Sequence, residues 1–565
     1  MLKKLRENRE VVFEIIAIVL IVLFAVSLAP KSLQNDTFYT VTIGKYISEN
    51  GIDFKDHYSW HEGLPYTYPH WAYDFGMYQI YNLGGWQAIY ISTCVMAAIL
   101  GICIYEVNSR ISKNKFISFF VTIGSLYLLQ SYIAARAQLA TFILFILLVY
   151  NIEKVLENKK IINAIAILII QILIANLHVA AWPFTFVLYL PYIGEYIICE
   201  LVEISLYHKV KVYRLKRKIK KINMKIAKDG NNEELEKKKA IIENKLNEIN
   251  TRVERIKAKR EENLKNPYKI RLEKNTNARF LIIILIISIL TGFATPLGTT
   301  PFTYTYLTLK GNTMQHINEH LPMTLVENAK ILCTIIIFLG ILTFTKVKIK
   351  LSDLFMICGI GYLMLASRRQ SSMFALICTI ALTRLVTELI KIYTGKEGKE
   401  LAKTWANGFV IFVTSAIVIM MSVNNVYAKR NDSYISKQSY PVEAAEWICD
   451  NLDIKNIRLY NEYNYGSYLL YKGIPVFVDS RADLYAPEFN TKTGDPEDGI
   501  DIFSDFIDSS NIGKYYGSIF EKYNITHVLI KENSKINMLI KKADSEKYNL
   551  IYSDKYFVIY EVVEY

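Results

Sequence analysis

The chain has 565 residues, 52% of them hydrophobic, with 66 Lys and Arg against 53 Asp and Glu for a formal net charge of +13. A mean hydropathy of +0.19 beside so many charges excludes one water-soluble globule and implies long apolar spans alternating with charged loops. The positive excess lies in residues 204–279 and in short loops between spans, the distribution of the positive-inside rule, so nucleic acid is excluded as its target.

In chain order, the basic start "MLKKLRENRE" precedes the apolar run Val11–Pro30 without a small-residue cleavage site, which predicts a retained signal-anchor. A helix needs about 20 apolar residues to cross ~30 Å of hydrocarbon. Further spans are predicted at 87–107, 116–134, 137–154, 161–178, 182–202, 280–298, 329–345, 352–368, 371–392 and 408–427. The pair 116–134 and 137–154 has almost no loop; read as re-entrant, it would leave the parity unchanged. Basic loop residues at 110–115, 154–160, 346–350 and 391–403 fall on the side of the N-terminus, the expected cytoplasmic side. The reading is a multi-pass cell-membrane protein: an N-terminal transmembrane module 1–203 with an outer loop 31–86, a cytoplasmic basic insert 204–279, a second transmembrane module 280–429, and an extracytoplasmic domain 430–565.

In the outer loop, Tyr39, Ile43, Tyr46 and Ile47 share a helical face, so this segment is expected to lie in the membrane interface. Asn35 or Asp36 can cap that helix. His57, His61 and His70 lack tight ligand spacing, so the sequence supports no divalent metal and implies no cofactor. Asp53 and Asp56 suit turns. In the insert, Leu215, Ile219, Ile222 and Ile226, then Ile242, Leu246, Ile249, Val253 and Ile256, form two apolar stripes around "DGNN". They predict an antiparallel helical hairpin whose basic surface faces anionic lipid or a cytoplasmic partner protein. In the last domain "VEAAEWICDNL" reads as a helix, while "IRLYNEY", "IPVFVD", "THVLI" and "YFVIYEVV" read as strands, implying a small α/β fold. The seven cysteines form no disulfide framework.

Charges at a membrane boundary are costly when unpaired, and each invites a functional hypothesis. The topology places Asp36, Arg136, His178, Glu319, His320, Arg368 and Arg369 at the outer edge. Arginine there runs against the positive-inside bias, and its planar fork suits phosphate oxygens. Snorkelling to head groups, or pairing with Asp36 or Glu319, is the plainer account. In "VFVDSRADLY", Asp479, Arg481 and Asp483 cluster beyond a strand, either as an internal ion-pair network or as an acceptor-binding group.

An acidic residue after span one, followed by "DTFYTVTIGKYISENGIDFKDHYSWHEGLPYTYPHWAYDFGMYQIYNLGGW", resembles the GT-C superfamily of membrane glycosyltransferases. More narrowly it resembles bacterial multispanning members that use polyprenyl-phosphate-linked sugars. Gly44, Ile47, Gly51, Asp56, Tyr58, Ser59, His70, Trp71, Gly84 and Gly85 carry the likeness, with "ARAQ", "NLH" and "YNEYNYGSYLLYKGIPVFVDSRADLY". The resemblance implies a polytopic α-helical GT-C-like fold of about eleven transmembrane helices with a C-terminal extracytoplasmic α/β domain. It also implies cell-envelope glycosyl transfer from a polyprenyl-phosphate sugar to a glycan, protein or lipid acceptor. Asp36 would be the catalytic base, Arg136, His178, Arg368 and Arg369 would bind the donor phosphate, and Asp56, His70, Glu319 and His320 would assist. Many members carry a second acid beside the first, where this chain has Asn35 and Thr37. An inactive GT-C-like scaffold for envelope assembly is therefore the alternative reading. A lipid or glycan transporter fits less well, because no paired halves are visible.

Overall fold

The computed structural model describes residues 9–202, 206–229, 233–265, 269–311, 313–396, 400, 408–491 and 496–565. Helices α1 (Arg9–Leu28), α2 (Asn35–Asn50), α3 (Trp71–Ser112), α4 (Lys115–Leu129), α5 (Ala137–Asn158), α6 (Ile161–Leu177) and α7 (Leu190–Val202) form the first part. After α8 (Leu206–Asp229) and α9 (Glu233–Lys265) come α10 (Ala278–Ser288), α11 (Thr300–Lys310), α12 (Ala329–Phe344), α13 (Leu351–Ala366), α14 (Ser371–Thr394) and α15 (Gly408–Ala428). Among the described residues six helical segments are long and apolar enough to cross a membrane, and four more apolar helices are shorter. With α4 included, each predicted span has a helical counterpart.

The reason these helices form a bundle rather than a globule is visible on α1. Ala17, Ile21, Phe24 and Leu28 are buried, whereas Ile15, Val19 and Leu23 on another face are exposed. A helix apolar all round, half of it presented outward, suits hydrocarbon on that side. Gly101 of α3 lets α1 approach closely, since a Cβ there would meet Ile21 at 2.8 Å. The predicted span 182–202 is broken: a short helix, Trp182–Val187, precedes α7, which has Pro191 at its start. The span predicted over 280–298 is likewise an α-helix that ends in a 3₁₀ turn, Ile289–Phe293. Away from the 31–86 loop, Arg384 of α14 joins Asp353 of α13 at 2.5 Å and Glu153 of α5 at 2.7 Å, tying three helices through buried charges.

The 31–86 loop is ordered. Helix α2 does not lie on a surface by its apolar stripe. It is clamped between the start of α3 and α17 (Tyr463–Tyr471), burying Phe38, Val41 and Ile43 completely or nearly so. The amphipathic pattern was real, but the C-terminal domain covers it. Gly44 allows the clamp: a Cβ there would stand 2.0 Å from the Asp74 carbonyl oxygen. Helix α3 breaks at Gly84–Gly85, where Gly85 takes φ +60°, a left-handed setting suited to glycine. The Trp71–Leu83 stretch thus belongs with the loop and the apolar remainder with the bundle.

Beyond α15, helix α16 (Val442–Asn451) precedes strands β3 (Leu459–Asn461), β4 (His527–Lys531), β5 (Tyr548–Ser553) and β6 (Phe557–Val562), after a small earlier pair, β1 (Ile270–Arg271) and β2 (Ile349–Lys350). The four-stranded sheet runs β3-β4-β6-β5, with β3 parallel to β4 and the other pairs antiparallel. "IPVFVD" is not a sheet strand. Its one bridge pairs Val476 with Ser59 of the loop, and Asn461 satisfies the Phe477 N–H and the Val478 carbonyl. Loop and domain consequently share one hydrophobic core, in which Phe38, Tyr66 and Tyr68 join Tyr460, Tyr468 and Phe477. Helices α8 and α9 pack on each other with Ile249 buried; Ile256 lies outside the described side chains.

Candidate active site

Where loop, bundle and C-terminal domain meet, they enclose a cavity of about 720 Å³. Asp36 comes from the first turn of α2. It does not cap that helix: the capping position is Gln34, without a side-chain bond, and Asn35 donates to the Tyr463 carbonyl at 3.0 Å. Released from capping, the Asp36 carboxylate accepts from Arg136 through its Oδ2, at 2.7 Å from Nε and closer from Nη2. Arg136 stands in extended backbone just before α5 and gives its Nη1 to Glu319 at 3.1 Å. Flanked by two carboxylates, this guanidinium is held firmly in its charged form, Asp36 being the main cause.

The cavity also gathers His70, His178, His320, Arg369, Arg481 and Asp483. The His70 and His178 rings lie 5.0 Å apart. The Tyr39 hydroxyl reaches His70 Nδ1 at 3.4 Å, and the Thr141 hydroxyl reaches His178 Nδ1 at 3.1 Å. Burial pushes His70 and His320 down to about 4, with the Arg369 charge the next cause for both. Arg369 differs from Arg136. Its side chain makes a single long contact, 3.5 Å to His178 Nε2, and among the described residues no carboxylate pairs with it. Its backbone N–H is fixed by the Glu319 carbonyl at 2.8 Å. Its charge is felt across the cavity by His70, His320 and Asp483, and its donors are otherwise unspent on carboxylates among the described residues.

Three predicted site residues do not line this space. Arg368 turns away, donating to the Pro322 carbonyl at 3.3 Å and approaching Glu327 at 3.7 Å. Arg368–Gln370 is a 3₁₀ turn, so consecutive side chains diverge and only Arg369 faces the cavity. Asp56 and Asp479 are closed inside an ion network with Arg481. Arg481 donates to Asp56 at 2.6 Å and to Asp479 at 2.7 Å, while Ser59 and Tyr485 hydroxyls supply further bonds. Asp479 and Arg481 are thus the internal network; Asp483 alone of the three keeps a cavity-facing carboxyl, bonded by the Tyr304 hydroxyl.

The sequence reading missed the tyrosines 39, 66, 73, 304 and 463 that wall the cavity. With 40 tyrosines in the chain, residue type alone carries no signal. It also missed Asp74, fully buried behind that wall, with only a loose contact from the Thr40 hydroxyl and no hydrogen bond of ordinary geometry to either oxygen. Among the described residues no three His, Cys, Asp or Glu side chains are grouped so as to hold a metal ion.

No protein-family model matches the sequence, and neither does any curated protein sequence. Among solved structures, the fold is similar to the crystal structure of the Archaeoglobus fulgidus oligosaccharyltransferase in its apo form. The TM-score is 0.51 at 11% sequence identity, over 92% of this chain and 69% of that one. The likeness spans the bundle and the C-terminal domain together, and identity this low speaks for architecture alone. The chain is therefore a multi-pass helical membrane protein whose fold is like that of this oligosaccharyltransferase, with a C-terminal α/β domain.

Proposed function

We propose that this protein is a membrane glycosyltransferase, moving a sugar from a polyprenyl-phosphate-linked donor to an acceptor at the outer face of the membrane. The observation that carries the reading is the pairing of chemistries in one cavity: the Asp36 carboxylate, whose hydrogen bonds from Arg136 go to Oδ2, and the Arg369 guanidinium, which no carboxylate pairs with among the described residues. Similarity to an oligosaccharyltransferase supports glycosyl transfer in general. Loop charge supports a cytoplasmic N-terminus and an extracytoplasmic domain over 430–565.

In the proposed step the acceptor hydroxyl gives its proton to Asp36 as its oxygen bonds to the anomeric carbon. The bond from that carbon to phosphate oxygen breaks, and the electron pair leaves on the polyprenyl phosphate, beside Arg369. Asp36 then returns the proton to water. Arg136 holds the carboxylate in place. General-base help is worth ~10²–10⁴-fold, and stabilising the leaving phosphate adds to it. His70 and His320, neutral at pH 7, orient without adding charge.

The test is donor consumption by purified protein given a panel of polyprenyl-phosphate sugars. Asp36→Asn is expected to lose ~10²-fold or more in rate, and Arg369→Gln at least ~10-fold. A well-folded Asp36→Asn protein with full activity would end the proposal. One observation favours an inactive scaffold as the second reading: Asp36 and Glu319 already satisfy Arg136 from both sides.

A further inference from the structure

The cavity lining mixes charged and polar groups with aromatic and aliphatic side chains. Its cationic side chains are Arg136, Arg369 and Arg481, with no lysine in the lining, and Arg481 is consumed by Asp56 and Asp479. The part built by the C-terminal domain therefore carries a carboxyl group, Asp483, hydroxyl and amide groups from Ser510 and Asn511, and aromatic faces, with no cation of its own to spend. Asp483 makes no ion pair among the described residues; the Tyr304 and Thr313 hydroxyls are its partners, and a carboxyl group with two oxygens still has acceptor capacity beyond them. The half-buried Tyr463 ring packs against Phe503 and Phe506, which line the same space, with centroids 5.8 and 6.4 Å away.

A phosphate or carboxylate ligand would meet the Asp483 carboxyl there, with Arg369 as the one cation whose charge reaches it among the described residues, so this end suits a neutral acceptor better than an anionic one. An extended peptide would look for a strand edge, and no lining residue belongs to a strand. Hydroxyl groups that donate to a carboxylate, on a ring whose C–H face covers an aromatic plane, fit every group present.

We propose that this end of the cavity binds a neutral carbohydrate acceptor, its hydroxyls donating to Asp483 and its ring lying on Tyr463. The inference rests on the transferase reading for its biological sense, but binding can be measured without any donor. The experiment uses the full-length protein in nanodiscs and native mass spectrometry with three probes: neutral trisaccharides of glucose and N-acetylglucosamine, a trisaccharide containing a uronic acid, and a neutral tripeptide. A neutral trisaccharide should bind the wild type in preference to both other probes. Asp483→Asn and Tyr463→Ala should each weaken it by roughly 10- to 100-fold, the loss expected for hydrogen bonds to a charged group. Asn511→Ala, at an exposed position that leaves the fold intact, should weaken it several-fold. Preference for the acidic sugar or the peptide, or equal binding by all three variants, overturns the proposal. Should no neutral sugar bind while the wild type still consumes polyprenyl-phosphate sugar, the acceptor assignment falls and the transferase reading stands.

Discussion

At the scale of the residue, two arginines separated by a few hundred positions do opposite jobs. Arg136 is spent on two carboxylates, whereas the Arg369 side chain has one long contact, to His178, and no carboxylate partner among the described residues. That same charge, together with burial, governs the neighbouring histidines. His70 and His320 have folded values near 4, below the ordinary value near 6.5 that they regain on unfolding. Between these values the unfolded chain binds more protons, so the stability tied to keeping them neutral is fully present above pH ~6.5 and lost as pH falls towards 4. We expect the thermal midpoint of the wild type to drop through this window, and His70→Gln to flatten the drop. The pH–rate profile should show no limb from these histidines between pH 7 and 8; an inflection there that His70→Gln removes would contradict the assignment. Which residues would face the cavity was partly legible in the sequence. Asp36, Arg136 and Arg369 stood out because boundary charges are rare. Arg368 stood out equally, and only the phase of a 3₁₀ turn separates it from its neighbour.

At the scale of the element, glycine decides where helices may touch. On α2, Gly44 meets backbone, not a movable side chain, so Gly44→Ala must push α2 off the start of α3. A loss of about 1–3 kcal/mol is expected, seen as a lower unfolding temperature. Gly124 of α4 is the control, because a Cβ there meets nothing within 4 Å. Gly124→Ala should be neutral or stabilise by up to ~1 kcal/mol. Equal destabilisation by both would show that helix propensity, not contact, sets the effect. Spans could be read from their apolar runs, and β3, β4 and β6 from their strand-like pattern, because lipid and sheet impose those patterns directly; β1, β2 and β5 were not read. The fate of α2 could not: its apolar face has the same spacing whether it meets lipid head groups or the C-terminal domain. "IPVFVD" failed for a related reason, since alternation describes a strand but does not name the partner that leaves it a single bridge.

At the scale of the whole molecule, the join between loop and C-terminal domain is hydrophobic around a charged centre. The Arg481 side chain is 2% exposed and the Asp56 side chain 0%. Breaking such a pair leaves a buried charge without a counterpart, typically at a cost of about 3–5 kcal/mol. Arg481→Met should therefore lower the unfolding temperature and loosen the loop, read as faster proteolysis within residues 51–70. Replacing Asp56, Arg481 and Asp479 together with apolar residues of similar size should restore much of that stability. If the triple replacement were no better than Arg481→Met, the network would matter for its geometry and not for its charge balance. The Asp479–Arg481 half of this network was legible in the sequence as an internal ion pair; Asp56, read there as a turn residue, was not legible as its partner, since it lies 425 positions from Arg481.

That separation has a bearing on how the protein is made. The chamber's near wall leaves the ribosome with the first hundred residues and its far wall with the last, so a nascent chain holds Asp36 and Arg369 long before they share an enclosure. Any lipid-borne substrate reaching the half-finished product would find open side chains and no compartment. Arrival of residues 463–511 is thus the event that closes the cavity.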